Sequence, residues 1–245
     1  MAFAGAVCNV APMPWARPEN SKNQVNKAGD VVAGRAALSD MGFEEAMDVA
    51  GNWRSAHGYP LHKMYQCLAR AAKRVDQKAL VSKRQKRMPS IVAKLQRFEG
   101  MQLARIQDLG GCRAVVADIE HVNKLVSLHE GTDYEHFERE PKRKKDYIAR
   151  PKDDGYRSVH LIYKYTGESQ GGAFKGLTIE VQIRSRLQHA WATALETIDA
   201  FTGQGLKAHL RTGTDQQLKE RWERFFLLVS ILMAGHGTAP IYSAQ

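Results

Sequence analysis

The sequence predicts an α+β protein, a mixed α/β arrangement with a central sheet flanked by helices, a helical extension before it and helices after it. Three observations carry this. Apolar residues recur at helical spacing from about Gln24 to Val75. Between Pro89 and Phe201, helix-period and strand-period segments alternate. The segment Leu177 to Arg184 (LTIEVQIR) alternates apolar and polar residues throughout. The chain has 245 residues, of which 43% are hydrophobic, enough for a buried core. We divide it into an N-terminal helical region, residues 1–80, and a second domain, residues 81–245, that carries the sheet and the C-terminal helices.

The elements follow in order. Pro12, Pro14 and Pro18 mark an irregular lead-in. Asp40 is placed to cap a helix through Phe43, Ala46, Met47 and Val49. Gly58, Tyr59 and Pro60 break it from a second helix at about Leu61–Val75. Pro89 starts a helix to about Phe98 that turns Ile91, Val92 and Leu95 inward. Cys112 to Asp118 (CRAVVAD) reads as a strand, and Ile119 to His129 as a helix with Val122, Leu125 and Val126 inside. A charged loop covers Glu138 to Lys145, and a strand runs from Arg157 to Tyr165. A glycine-rich turn then leads into the alternating strand. Helices at about Arg186–Phe201 and Leu218–Met233 close the chain. The last is apolar on more than one face through Phe225, Phe226, Leu228, Val229, Leu232 and Met233, which suits core packing or a docking surface for a second copy or a neutralising partner.

Composition excludes some classes. No apolar run approaches the ~20 residues of a membrane-spanning helix, and no signal peptide is evident, so no membrane association is expected. Cys8, Cys67 and Cys112 match neither a zinc pattern nor a disulfide framework, which suits a reducing, cytoplasmic setting. The net charge of +10 attracts phosphates wherever the charges cluster.

They cluster near one helix. Arg84 and Lys86 precede the helix that starts near Pro89, and Lys94 and Arg97 lie on it, three residues apart. Four cations around a helix N-terminus suit a triphosphate, and no Walker or G-x-G-x-x-G loop is present to hold one otherwise. The polar face of LTIEVQIR places Glu180, Gln182 and Arg184 in a row about 7 Å apart, as a solvated strand face or as the floor of a polar site. Asp108, in IQDLGGCR, stands where Gly110 and Gly111 let the backbone turn. Two such carboxylates can hold Mg²⁺, and one can accept a proton from an attacking hydroxyl.

Four segments, in order, resemble those of the RelA/SpoT synthetase family: RQKRMPSIVAKLQR, IQDLGGCRAVV, DYIARPKDDGYRSVH and TIEVQIRSRLQHAWA, over roughly residues 80 to 200. The resemblance is nearest to the toxic small alarmone synthetases of the tRNA-pyrophosphorylating type, with which the stretch Asn52 to Leu61 (NWRSAHGYPL) also compares. It implies a nucleotidyltransferase-like sheet and Mg²⁺-dependent transfer of pyrophosphate from ATP to a ribose 3′-hydroxyl. It implies Arg84, Lys86, Lys94, Arg97 and Arg113 as ATP contacts, and Asp108 and Glu180 as catalytic and metal-holding. Lys152, Tyr156, His160, Gln182 and Arg184 become acceptor contacts, with Tyr156 stacking on a base and His160 alternatively a core histidine. Arg157 departs from the neutral polar residue common in long family members.

The acceptor stays open at this level. No His-Asp dipeptide marks a hydrolase that would remove an alarmone. The basic run Lys142, Arg143, Lys144 and Lys145 suits a tRNA acceptor stem, so the balance favours the tRNA 3′-CCA end and a translation-inhibiting toxin with an antitoxin. The alternatives are GDP or GTP as acceptor, and an inactive nucleotide- or RNA-binding module.

Overall fold

The first helix of the N-terminal part begins where the sequence satisfies its first turn. In the computed structural model, which describes residues 15–35, 41–168, 171–202 and 216–236, α1 (Lys22–Val32) is closed by a capping box. The Ser21 hydroxyl accepts from the Gln24 amide, and the Gln24 side chain accepts from the Ser21 amide at 3.0 Å. Helix α2 (Phe43–Ala56) starts after Gly42; Asp40, expected as its cap, lies outside the described residues. The expected Gly58–Pro60 break is instead the first turn of α3 (Gly58–Val75), with only His57 between the helices. Proline is tolerated there because the first-turn amides have no intrahelical partner.

Among the described residues the sheet has six strands: β1 (Leu80–Gln85), β2 (Gly110–Val116), β3 (Phe137–Arg139), β4 (Lys145–Asp146), β5 (Val159–Tyr165) and β6 (Thr178–Ser185). Their order is β1-β2-β6-β5, with β3 and β4 both pairing with the outer side of β5. Among the described residues, only β2 and β6 run parallel. Two departures from the sequence reading stand out. Strand β1 was not expected, because LVSKRQ is polar at successive positions and shows no alternation; pairing along β2 makes it a strand at an exposed edge. The charged loop Glu138–Lys145 is short strand, a 3₁₀ turn and strand, with both strands paired to β5.

Between β1 and β2 lies α4 (Met88–Arg97), with Ile91 and Leu95 fully buried and Val92 half-buried. Helix α5 (Ile119–Glu130) is capped by Asp118, whose carboxylate accepts from the His121 amide at 3.0 Å. Helices α6 (Arg186–Thr202) and α7 (Gln216–His236) complete the chain.

The two faces of the sheet divide the labour. Ile179, Val181 and Ile183 of β6 are fully buried on one face, with Cys112, Ala114 and Val116 of β2 beside them. A single buried cluster joins these residues to Val25, Ala46, Leu61 and Leu68 of the N-terminal helices and to Val122 and Leu125 of α5. The opposite face is polar and forms the floor of a cleft. A second, smaller apolar cluster, Tyr156, Trp191, Ala192, Leu195 and Phe226, ties α6 and α7 to the segment before β5. Helix α7 buries Phe226, Ser230 and Ala234 while Phe225, Leu228 and Leu232 remain exposed. No helix among the described residues is long and apolar enough to cross a membrane.

Candidate active site

Register assembles the cleft. Arg84 of β1, Gly111 of β2 and Glu180 of β6 lie side by side, and Ser82, Arg113, Gln182 and His160 form the next row, across four strands. Glycine at position 111 leaves the floor open between the Arg84 guanidinium and the Glu180 carboxylate. A cleft of about 250 Å³ lies above these rows, lined by Arg84, Lys86, Asp108, Arg113, Glu180 and Gln182, with Ser82, Lys83 and Glu196 at its margins.

On one side, Asp108 is gripped by two cations. Lys86 Nζ donates to Oδ2 at 2.9 Å and Lys94 Nζ donates to Oδ1 at 2.8 Å. Burial raises the pKa of this carboxyl, but the lysines outweigh it and hold the group at about 2. Lys86 is placed by its backbone: its amide donates to Leu109 O at 2.9 Å, and its carbonyl accepts from Arg54 Nε of α2 at 2.6 Å. Gln85 binds α2 in the same way, donating to Arg54 O at 2.9 Å and Ser55 O at 3.2 Å. At the far end of α4, Arg35 donates to Leu95 O and Phe98 O at 3.3 Å, closing carbonyls the helix leaves open.

On the other side, Glu180 sits within a chain of hydrogen bonds. His160 Nδ1 donates to Oε1 at 2.9 Å and Gln182 Nε2 donates to Oε2 at 2.7 Å. The Tyr156 hydroxyl bonds His160 Nε2 at 2.9 Å and accepts from Arg184, which also donates to Gln182 Oε1 at 3.0 Å. Burial raises the pKa of Glu180, but the His160 bond and charge, with the Gln182 amide, hold it below the ordinary glutamate value. Burial and the Arg184 charge lower the pKa of Arg113. Arg113 Nε, Arg184 Nε and His189 Nδ1 are buried donors or acceptors with no hydrogen-bond partner among the described residues. Of these, Arg113 lines the cleft, and an unmet guanidinium donor there favours an anion.

The expected residues fall into three groups. Arg84, Lys86, Asp108, Arg113, Glu180 and Gln182 line the cleft, and Lys94, His160 and Arg184 bond directly to members of it. Arg97 is not brought there; it lies over the Phe98 ring at the end of α4. Tyr156 differs from its expected role: it is 9% exposed, and Lys152 Nζ (4.7 Å) and the Arg184 guanidinium (4.9 Å) lie against its ring. Its faces are therefore covered rather than open to a base. Tyr147, half-buried and 4.7 Å from the same Lys152 Nζ, is the more accessible aromatic and was not anticipated. Glu196 was also missed, because nothing in its helical context marks it as facing a cleft. In the basic run, Arg143 pairs with Glu140 at 2.8 Å and Lys144 with Glu130 at 2.9 Å, so two of the four cations are engaged by acids.

Residues 83–200 match the family described as "Region found in RelA / SpoT proteins". GTP pyrophosphokinase YjbM of Bacillus subtilis is 32% identical over 95 residues, 38% of this chain and 41% of that protein. GTP pyrophosphokinase of Photobacterium angustum is 30% identical over 122 residues, 50% of this chain and 15% of that protein. The chain thus spans less than half the length of these relatives. Small alarmone synthetase 1 of Bacillus subtilis, bound to its product pppGpp, superposes with a TM-score of 0.59 at 20% identity, over 74% of this chain and 90% of that one. Small alarmone synthetase 2 of the same organism gives 0.58 at 22% identity, over 76% and 94%. The fold is that of the small alarmone synthetases, and residues 83–200, from the edge strand β1 through α6, match the region found in RelA and SpoT proteins.

Proposed function

We propose that this protein is a pyrophosphokinase, moving the terminal pyrophosphate of ATP to the 3′-hydroxyl of GDP or GTP. The observation that carries this reading is the juxtaposition of Asp108, held by Lys86 and Lys94, with Glu180, held by His160 and Gln182, on one cleft floor. The first cluster suits a triphosphate and its cation; the second suits a hydroxyl that must lose a proton.

In this reading the acceptor 3′-oxygen attacks the β-phosphorus of ATP, the bond to the α–β bridging oxygen breaks, and AMP leaves. Glu180, kept ionised below the ordinary glutamate range, takes the hydroxyl proton, and His160 holds the carboxylate in place. Arg84, Lys86, Lys94 and Arg113 draw the phosphates in and oppose their charge. Asp108 is the residue that would hold Mg²⁺, with Glu180 facing the same space. Among the described residues no group of three His, Cys, Asp or Glu side chains converges, and that donor set fits an ion carried in with the nucleotide, since Mg²⁺ commonly uses one or two carboxylates plus substrate phosphates. When bound, the ion supplies further positive charge at the phosphoryl oxygens.

The comparisons redirect the acceptor. The sequence balance favoured tRNA, but the relatives carry names that refer to GTP, and the product in the superposed synthetase is pppGpp. The basic run that suggested tRNA is partly neutralised by Glu130 and Glu140, which weakens the argument for a phosphate-backbone grip. An inactive binding module would have no need of both carboxylates.

The test is transfer from ATP labelled at the γ-phosphate, with Mg²⁺ and GDP, GTP or tRNA as acceptor, and Glu180→Gln as the control. Label in a guanine nucleotide, lost in the control, supports the proposal. Label in tRNA reinstates the toxin reading, and no transfer to any acceptor removes the enzymatic one.

A further inference from the structure

The family match ends at residue 200, and α7 lies wholly beyond it, yet α7 is seated on the loop that leads into β5. Ser230, in the middle of α7 and 3% exposed, donates its hydroxyl to Gly155 O and accepts from Arg157 Nε at 3.2 Å. Arg157, 5% exposed, also donates from Nη1 to Ile148 O at 3.2 Å. One guanidinium therefore joins both ends of the 148–157 loop to one serine of α7. Gly155 has φ +84°, and a Cβ there would stand 2.9 Å from Ser230 Cβ and 3.4 Å from Leu227 Cα. Loop and helix backbones approach as closely as glycine allows.

The loop held this way is the acceptor side of the cleft. Tyr156 lies between its two latched neighbours, packed with Trp191 of α6 and Phe226 of α7, and Trp191 Nε1 donates to Phe226 O at 2.8 Å. The same tyrosine hydroxyl bonds His160 and Arg184, one step from Glu180. Lys152, on the same loop, lies against Tyr147 and Tyr156. A burial so costly for a guanidinium, met by a hydroxyl and a carbonyl, is a strong constraint on loop geometry.

We propose that Arg157 and Ser230 form a latch through which α7 sets the acceptor loop, so that α7 governs acceptor affinity without touching a reacting atom. Both are positioning residues. The proposal rests on the pyrophosphokinase reading, and it deepens that reading by adding a helix outside the matched region to the acceptor site.

The experiment measures KM for ATP and for GDP separately in wild type, Ser230→Ala, Arg157→Gln and Arg157→Lys, together with hydrogen exchange of the 148–157 amides. Losing one buried hydrogen bond predicts about a fivefold rise in KM for GDP in Ser230→Ala, a larger rise in Arg157→Gln and a partial return in Arg157→Lys. KM for ATP stays within about twofold, and exchange in the loop quickens. Equal effects on both substrates, or no effect on either, overturn the latch. If wild type transfers nothing, the functional reading fails, and the latch still stands or falls on exchange: unchanged protection in Ser230→Ala overturns it.

Discussion

The two sides of the cleft are built on different physics. The proposed donor side, Arg84, Lys86, Lys94 and Asp108, is a set of charges on an edge strand, a helix and a turn, partly open to solvent and joined by ion pairs of 2.8 and 2.9 Å. The proposed acceptor side, Tyr156, His160, Glu180, Gln182 and Arg184, is a network of short hydrogen bonds largely withdrawn from solvent and closed from behind by α7. Charges tolerate displacement because Coulomb attraction falls slowly with distance; hydrogen-bond networks do not, because their angles and partners are fixed. The donor side should therefore respond to charge and the acceptor side to shape.

The largest effect expected from this contrast is at Asp108. Asp108→Asn preserves size while removing the charge that Lys86 and Lys94 enclose. Transfer should fall about 10²–10³-fold, in line with removing one preorganised electrostatic element. ATP binding without Mg²⁺, measured by calorimetry, should be retained or strengthened, because the two lysines lose their internal anion. Loss of Mg²⁺-free ATP binding would show that Asp108 holds the donor side together by shape.

Acid should separate the sides next. His57 sits at the α2–α3 junction behind β2, fully enclosed, and its burial pushes its pKa down to about 4, against the opposing pull of its Nδ1 bond to Trp53 O. A depressed folded-state pKa means its contribution is complete above the ordinary value of 6.5 and is lost as pH falls through about 4. Burial does the same to His129, while Asp108 keeps its contribution until pH drops below 3.8 toward about 2. Stability should thus decline between pH 6.5 and 4 by on the order of 2–3 kcal/mol for His57. Thermal unfolding followed across that window should show a shallower decline in His57→Gln than in wild type. An identical slope would place the acid sensitivity elsewhere.

On the acceptor side, Tyr156→Phe keeps the ring, and with it the packing on Trp191, but removes the hydroxyl shared by His160 and Arg184. About a tenfold drop in kcat/KM for GDP is expected, or ~1.4 kcal/mol, with KM for ATP unchanged. If Tyr156 instead stacks on the acceptor base after moving out of its present pocket, Phe would serve nearly as well as Tyr, and the drop would be small.

The same contrast explains what the sequence revealed. The donor side was legible because charge type and spacing survive in one dimension: Lys94 is recognisable from the helix period, and Asp108 from its glycine neighbours. The alternation of Ile179, Val181 and Ile183 against Glu180 and Gln182 gave β6 and its two faces directly. Strand β1 was hidden, since an edge strand with polar residues on both faces has no period to display. Tyr156 was assigned a stacking role by the family resemblance alone; its burial depends on Trp191 and Phe226, which lie far along the chain. The latch was illegible for the same reason, as Arg157 and Ser230 are 73 positions apart.

The smallest expected effect bears on the N-terminal helices. Arg54 of α2 does not itself line the cleft; it donates to the carbonyl of Lys86, and Gln85 returns two bonds to the end of the same helix. If the donor side depends on charge more than on placement, loosening this anchor should matter little. Arg54→Gln keeps a donor of shorter reach, and a rise of about threefold in KM for ATP is expected, with KM for GDP and the Ser230→Ala phenotype unaffected, since sites without shared partners add independently. A rise of ten-fold or more would mean that α2 positions Lys86 as strictly as α7 positions the acceptor loop, and both sides of the cleft would then be set by helices outside the matched region.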